Sequence, residues 1–236
     1  IVSNRLPVKF IEDANDCLHA IPSNGGLVTA MAPILRQQGG LWIGWTGAQS
    51  DHHIEYKVDY AEHEVGYNLR PINLSQAEIL GYYNGFSNET LWPLFHDLQS
   101  LSKFEQQYWD MYRQANQKFA RAAHEFSAPN DFVWVHDYHL MLVGKMLREM
   151  STARRVGFFL HIPFPAIDIF AKLPWRVQLM KALLEYDILG FQTLRDRNNF
   201  INCASSLLKG LKFKERGNVH YIQTAQRAVK AGIFPI

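Results

Sequence analysis

The sequence predicts an α/β fold: a doubly wound, mostly parallel sheet with helices on both faces. From residue 132 onward, short apolar runs alternate with segments of helical periodicity, which is typical of parallel strands joined by crossover helices. Glycine and proline mark the ends of several segments, as at Gly39-Gly40 and Pro163. No internal repeat interrupts the pattern, and we interpret residues 1–236 as a single domain.

The first half of the chain mixes strand, loop and helix patterns. Leu27 and Met31 are one helical turn apart, and Gly39 is suited to end that helix. Ser75 is a candidate N-cap with Glu78 three residues later. In chain order, the prediction is strand 1–5, loop 8–24, helix 27–38, strand 41–45, two short strands within 52–70, helix 75–83, helix 88–96 and helix 103–126.

The second half of the chain is more regular. Pro174 stands just before the start of one helix, where its missing N–H group is tolerated. The basic stretch Lys209–Arg216 is interpreted as a solvated surface. The prediction here is strand 132–136, helix 139–149, strand 155–161, a helical piece at 166–171, helix 175–185, strand 187–191, helix 193–209 and strands 219–223 and 228–234.

Composition excludes several classes of function. The chain is 47% hydrophobic with a formal net charge of +2, so we expect neither nucleic acid nor a membrane surface as a partner. No apolar run approaches the roughly 18 residues that a membrane-spanning helix needs. The two cysteines, Cys17 and Cys203, lack metal-binding spacing and predict reduced thiols in a cytoplasmic protein.

Three predicted strands end in polar side chains. Arg5 ends the first strand, Asp137 follows strand 132–136, and His161 ends strand 155–161. In open α/β sheets, ligands bind beyond the carboxyl ends of the strands. We therefore predict that these three side chains form one polar site.

Arg5 and the glycines before the first helix are candidates for binding phosphate. An arginine can form two hydrogen bonds to a phosphate, and a surface ion pair is the alternative. Gly25 and Gly26 would let backbone N–H groups approach a phosphate or sugar at a helix N-terminus, and a plain turn with an N-cap is the alternative. The G-x-G-x-x-G pattern and a P-loop lysine are absent, which argues against the standard NAD and ATP sites.

Asp137 and His161 are candidates for contacting hydroxyl groups. Asp137 lies between His136 and His139, but a metal cluster is disfavoured because these side chains project in different directions and no further ligand set is nearby. A role as hydroxyl acceptor or general base is favoured, and capping of the next helix is the alternative. His161 would be structural if it stood alone, but its place before Pro163 favours a functional role.

The stretch Tyr82–Asn88, followed by Leu91-Trp92-Pro93, combines aromatic and amide side chains. Aromatic rings pack against the C–H faces of sugars, and amides bind their hydroxyl groups. The stretch is therefore a candidate carbohydrate site, and an ordinary aromatic core is the alternative.

Together these segments resemble the trehalose-6-phosphate synthase family, whose members are retaining glycosyltransferases with the GT-B fold. The matching segments occur in the family's order over nearly the whole chain. They are Ser3–Arg5, Gly25–Leu27, Trp42–Gly47, Tyr82–Asn88, Leu91–Pro93, Val135–Leu140, Gly157–Pro165, Leu173–Arg176 and Asp187–Thr193.

The resemblance implies transfer of glucose from UDP-glucose to glucose 6-phosphate, giving trehalose 6-phosphate and UDP with retention, without a metal or other cofactor. It implies that Arg5 binds the phosphate of the acceptor, and that Tyr83 and Asp137 also contact the acceptor. Trp92 is expected to shape the acceptor pocket. It further implies that Gly25 and Gly26 line the phosphates of the donor, and that His161 hydrogen-bonds the transferred glucose. His161 and Asp137 are the predicted catalytic residues.

The resemblance also implies that residues 1–236 are the N-terminal, acceptor-binding domain of a GT-B protein. We expect the C-terminal domain for the nucleotide sugar to be absent from this chain, which then has negligible turnover alone. An apolar face left by that absence predicts self-association into a homo-oligomer. Two alternatives remain open: a glucosylglycerol-phosphate synthase that uses glycerol 3-phosphate, and a non-catalytic sensor of sugar phosphates.

Overall fold

The computed structural model describes residues 1–12, 18–23, 25–47, 61–63, 65–150 and 154–235. The chain divides into two compact units, Ile1–Gln76 and Ala77–Ile236. Within the described residues, every helix is too short or too polar to cross a membrane.

The first unit contains a parallel sheet, an antiparallel hairpin and a helix. The parallel strands are β1 (Val2–Arg5), β4 (Leu41–Trp45) and β5 (Asn68–Ile72), in the order β5-β4-β1. The hairpin pairs β2 (Val8–Glu12) with β3 (Leu18–Pro22), and helix α1 is Gly26–Gln38.

Two predictions for the first unit need correction or completion. The prediction of a loop over 8–24 is wrong, because β2 and β3 form a hairpin there. Lys9 and Glu12 interrupt its apolar residues, so the sequence reads as polar and irregular. Of the two short strands predicted within 52–70, one corresponds to β5, residues 61–63 are helical, and residues 51–60 lie outside the described part of the chain.

The second unit contains six strands in the order β6-β7-β8-β11-β10-β9. They are β6 (Phe132–His136), β7 (Arg155–Phe159), β8 (Ile188–Phe191), β9 (Lys212–Arg216), β10 (Val219–Gln223) and β11 (Ala228–Ile233). The first four in spatial order are parallel, whereas β10 and β9 add in antiparallel fashion. Together with the parallel strands of the first unit, this confirms the predicted α/β class. The solvated basic stretch is the fully exposed strand β9, whose lysines disfavour pairing with another chain.

The helices of the second unit connect these strands and cover the sheet. In chain order they are α2 (Gln76–Glu78), a π-helix (Ile79–Leu91), α3 (Trp92–Phe95), α4 (Gln106–Phe126), α5 (Val143–Met150), α6 (Ile167–Phe170), α7 (Arg176–Leu183) and α8 (Leu194–Leu207). Short 3₁₀ turns occupy Gln99–Leu101 and Tyr138–Leu140. The predicted helix 139–149 is therefore a 3₁₀ turn followed by α5.

Two separate helices, 75–83 and 88–96, were predicted in this region. The structure instead has one continuous helical segment, which consists of α2, the π-helix and α3. Its glycines allow close approach to α4: a Cβ atom on Gly81 would lie 2.4 Å from Cγ of Met111, and one on Gly85 would lie 2.6 Å from the ring of Tyr108. Phe86 then packs on Tyr112 of α4, with ring centroids 4.5 Å apart. This packing stabilises a helix type that is rare in isolation.

The amino ends of β7 and β8 carry a network of charged groups, in which the arginines are largely buried and Asp187 is partly exposed. Arg154 donates to carbonyl groups at the C-terminal end of α4, and its own carbonyl accepts from Arg148 at 2.6 Å. Arg148 also pairs with the carboxylate of Asp187, which accepts from the N–H of Val156 at 2.7 Å. The network joins α4, α5 and two strands at this end of the sheet.

Candidate active site

In the first unit, Arg5 lies at the carboxyl end of β1 with an exposed side chain. Its guanidinium carbon lies 4.1 Å from the ring centroid of Trp45. Gly47 has a φ of +97°, which favours glycine, and a Cβ atom there would lie 1.8 Å from Nη1 of Arg5 and displace the guanidinium. The guanidinium thus lies over the ring of Trp45 at the surface, where it can bind a phosphate in bidentate fashion.

Gly25 and Gly26 begin helix α1 in the same unit. Gly25 is the N-cap, with an extended φ of −152°, and both glycines are exposed. A Cβ atom on either would meet nothing within 4 Å. The N-cap position of Gly25 agrees with the alternative of a plain turn and N-cap, and close approach of a ligand to the two glycines stays a prediction.

In the second unit, Asp137 follows β6 in a strained conformation. Its φ of +75° is rare for a non-glycine residue, and such strain typically costs about 1–3 kcal/mol and concentrates at functional sites. Its N–H donates to the carbonyl of Phe159 at 2.8 Å, and its Oδ1 accepts from the N–H of His161 at 3.1 Å. The carboxylate is held from two sides, by the N–H of Tyr138 at the start of the following 3₁₀ turn and by the N–H groups of His161 and Ile162 beyond the neighbouring strand.

The environment of Asp137 changes its acidity. Burial raises the pKa of its carboxyl group to about 6, while backbone N–H groups, including that of His161, and the nearby His96 oppose this increase. The carboxylate is therefore largely ionised at neutral pH, yet poorly solvated. Such a group is a strong acceptor for the hydroxyl groups of a ligand.

His161 lies two residues beyond β7 and faces another histidine. Its Nε2 is 3.1 Å from Nδ1 of His136, the last residue of β6. Burial lowers the pKa of His161 to about 4, and burial together with His161 holds the pKa of His136 well below its usual value. Both rings are neutral at physiological pH, so His161 can donate or accept a hydrogen bond without adding charge.

Tyr83 and Trp92 are more exposed to solvent than the other aromatic residues of this stretch. Tyr82 and Phe86 are fully buried and belong to the core, as the alternative interpretation had it. Tyr83 is half-buried and stacks on His139, with centroids 5.9 Å apart. Trp92 is 41% exposed and stacks on an imidazole, that of His96, with centroids 4.2 Å apart. Two aromatic faces are thus held in place by neighbouring imidazoles.

Four predicted site residues of the second unit are close to one another. We call them the polar cluster: Tyr83, Trp92, Asp137 and His161. His161 contacts Asp137 directly, and His96, which stacks on Trp92, is near enough to Asp137 to lower its pKa. Tyr83 and Asp137 both lie near Tyr138, whose pKa is raised by burial and then by these two groups. The predicted inclusion of Arg5 in the same site stays a prediction.

The roles of His96 and His136 were not evident from the sequence. His96 follows Trp92 by four residues, a spacing that places both on one helical face, and this signal could have identified it. His136 was considered only as a metal ligand. Among the described residues, no group of three His, Cys, Asp or Glu side chains is arranged to hold a metal ion.

Comparison with known proteins gives the family. The model of glycosyltransferase family 20 matches residues 1–236. The trehalose-6-phosphate synthases of Mycolicibacterium vanbaalenii and Mycolicibacterium gilvum are 39% and 40% identical to this chain over its whole length. The alignments cover 49% and 48% of these relatives, so the chain spans about half the length of the curated relatives it matches.

Solved structures agree over the whole chain. The apo structure of OtsA is 34% identical with a TM-score of 0.82, and the chain covers 48% of it. An α,α-trehalose-phosphate synthase (UDP-forming) from Burkholderia xenovorans, in complex with glucose 6-phosphate, is 30% identical with a TM-score of 0.80 and is also covered to 48%. A structure from E. coli bound with UDP-2-fluoro glucose is 31% identical with a TM-score of 0.79 and the same coverage. The resemblance found in the sequence is confirmed, and the chain belongs to glycosyltransferase family 20.

Proposed function

We propose that this chain is the acceptor-binding part of a retaining glucosyltransferase that transfers glucose from UDP-glucose to glucose 6-phosphate. The products are α,α-trehalose 6-phosphate and UDP. The observation that carries the proposal is the polar cluster, in which the ionised, poorly solvated carboxylate of Asp137 lies beside the neutral imidazole of His161, and Tyr83 and Trp92 each stack on an imidazole. This combination suits a sugar, which presents hydroxyl groups and apolar C–H faces together.

Each side chain has a proposed role toward the acceptor. Asp137 accepts hydrogen bonds from its hydroxyl groups and orients the hydroxyl that reacts. Tyr83 and Trp92 pack against the sugar ring, and Arg5 binds the phosphate through its guanidinium. The carboxylate needs no movement to bind, because backbone N–H groups already fix it.

The donor is proposed to contact the backbone of Gly25 and Gly26 through its phosphates and His161 through the transferred glucose. During transfer, the bond between the anomeric carbon and the UDP oxygen breaks, and a bond to the acceptor oxygen forms on the same face. The acceptor's proton passes to the departing phosphate oxygen. Asp137 therefore positions the acceptor without forming a covalent intermediate. Stabilisation of the charge that develops on the departing diphosphate makes the largest contribution to lowering the activation barrier.

The curated relatives are about twice as long as the segment that matches, with coverage of 49% and 48%. We therefore propose that a second domain of the same protein holds most of the nucleotide sugar, and that the 236-residue chain has negligible turnover alone. A cytoplasmic location and self-association also remain proposals. The former agrees with Cys203, whose burial raises the pKa of its thiol to about 12 and makes it unreactive.

The test is UDP release by the full-length protein from UDP-glucose, with glucose 6-phosphate or glycerol 3-phosphate as acceptor. We expect release only with glucose 6-phosphate, and none from the 236-residue chain assayed in parallel. Release only with glycerol 3-phosphate would reassign the acceptor. Binding of glucose 6-phosphate without any release would favour a sensor.

A further inference from the structure

His136 has a buried ring with one polar side-chain contact among the described residues. The residue is 1% exposed, and its Nδ1 lies 3.1 Å from Nε2 of His161. Its other ring nitrogen, Nε2, is buried without a hydrogen-bond partner in the described part of the chain. Aromatic rings surround it, with Trp134 at 4.9 Å and Phe159 at 6.4 Å between centroids. His136 is therefore too enclosed to contact a substrate itself.

Because burial keeps both rings neutral at physiological pH, one of the two contacting nitrogens carries a proton and the other accepts it in a hydrogen bond. Either His136 donates from Nδ1, or His161 donates from Nε2. In the second arrangement His136 must carry its proton on Nε2, where no described residue accepts it. A buried N–H without an acceptor is rarer in proteins than an unused acceptor, so the first arrangement is favoured.

We propose that His136 is a positioning residue, whose Nδ1–H fixes the ring orientation and the tautomer of His161. His161 then carries its own proton on Nδ1 and presents a neutral N–H donor. Its main chain is fixed as well, because its N–H donates to Asp137 at 3.1 Å. The ring and the backbone of His161 are thus both held before a ligand arrives, which lowers the entropic cost of binding.

What His161 contacts rests on the proposed function: a hydroxyl oxygen of the transferred sugar accepts the Nδ1–H. A hydroxyl can serve as donor or acceptor, so a fixed tautomer decides its direction. His136 thereby acts on the donor side of the reaction without touching the donor. Acceptor binding through Asp137 should not depend on the ring of His136.

The first experiment measures ¹⁵N chemical shifts of the histidine rings in the 236-residue chain near pH 7, with assignments from His136→Asn and His161→Asn. We expect protonated Nδ1 and unprotonated Nε2 in both rings. Protonation of His161 at Nε2 would overturn the proposed tautomer. This measurement does not depend on any activity, so it stands even if the proposed function fails.

The second experiment measures UDP release by the full-length protein with His136→Leu, His136→Asn and the control His220→Leu on strand β10. Loss of one hydrogen bond should lower kcat about tenfold in His136→Leu, with the KM for glucose 6-phosphate unchanged. In His136→Asn, the amide group can replace Nδ1–H and should restore kcat to within about threefold. The control should match the wild-type protein.

Equal losses in the leucine and asparagine variants would indicate a packing role and overturn the proposal, as would a leucine variant with unchanged kcat. Thermal unfolding of each variant identifies any that fails to fold. If the wild-type protein releases no UDP with either acceptor, the proposed function fails, and the ring ¹⁵N shifts alone decide the role of His136.

Discussion

The two ends of the parallel strands in the second unit both bury ionisable groups, but in different ways. At the amino ends, Arg148 pairs with Asp187 and donates to the carbonyl of Arg154. At the carboxyl ends, Asp137 is held mainly by backbone N–H groups, and the neighbouring histidines are neutral with altered pKa values. The amino ends match charge with charge and stabilise the fold. The carboxyl ends leave hydrogen-bonding capacity and strain that a ligand can use.

The largest expected effect at the carboxyl ends is on activity. Asp137→Asn keeps the shape of the side chain, and asparagine tolerates a positive φ, so folding should survive. Loss of charged hydrogen bonds to the acceptor should lower kcat/KM for glucose 6-phosphate at least about 100-fold in the full-length protein. The assay is UDP release, with Asp168→Asn on α6 as the control. Near-wild-type activity would exclude Asp137 from acceptor binding.

At the amino ends, by contrast, the expected effect is on stability and not on ligand affinity. Asp187→Ala removes the carboxylate that pairs with Arg148, whose side chain is 8% exposed, and that accepts from the N–H of Val156. Asp187 is itself partly exposed, so the free energy of unfolding should fall by about 2–3 kcal/mol, with glucose 6-phosphate affinity unchanged. Urea unfolding and calorimetric titration measure the two quantities. A weaker affinity in a folded variant would contradict the division between the two ends.

The pH dependence of unfolding should reveal two opposing contributions at the carboxyl ends. Burial raises the pKa of Asp137 from 3.8 to about 6, so its contribution to stability is present below 3.8 and lost as the pH rises to about 6. Burial lowers the pKa of His161 from 6.5 to about 4, so its contribution is present above 6.5 and lost as the pH falls to about 4.

Asp137→Asn removes only the first contribution. Relative to the wild-type protein, the variant should therefore gain about 2 kcal/mol of stability between pH 4 and pH 7. Urea unfolding of both proteins at pH 4, 5.5 and 7 gives this difference. A difference that stays constant with pH would show that Asp137 does not titrate in this range.

The smallest effect is expected on the surface near the amino ends. Glu149 pairs with Lys145 at i,i+4 spacing on α5, and both side chains are exposed. Glu149→Ala should lower the free energy of unfolding by no more than about 0.5 kcal/mol. Urea unfolding of this variant and of Asp187→Ala compares the loss of an exposed ion pair with the loss of a pair in the network. A loss as large as that of Asp187→Ala would mean that burial does not explain the network's contribution.

The sequence predicted five of the six strands of the second unit and the polar residues that follow two of them, but it missed β9, which lies in the stretch interpreted as a solvated basic surface. The reason is physical: buried parallel strands are continuous apolar runs, so a polar side chain at the end of a run marks its end. Asp137 and His161 were found in this way, and the structure brings them into contact.

The sequence did not predict the features that depend on register or on partners. The contact between His136 and His161 joins residues 25 positions apart and follows from pairing of His136 with Phe159 in the sheet. The π-helix depends on α4 fitting against Gly81 and Gly85, and hydrophobic periodicity does not report the partner's shape. The hairpin of β2 and β3 was missed because its residues do not alternate clearly in polarity.

The π-helix also makes this part of the chain sensitive to the deletion of a single residue. Each residue in an α-helix turns the chain by about 100°. Deleting one residue between Ile79 and Leu91 would return the segment to an α-helical hydrogen-bond pattern and rotate one flank against the other by about that angle. Tyr83 lies within the segment and Trp92 directly after it, so this rotation would change the orientation of the two rings relative to each other. The length of this segment therefore sets the spacing of the two aromatic side chains, and its glycines are constrained as well, because a Cβ atom on Gly81 or Gly85 would lie within 2.6 Å of an α4 side chain.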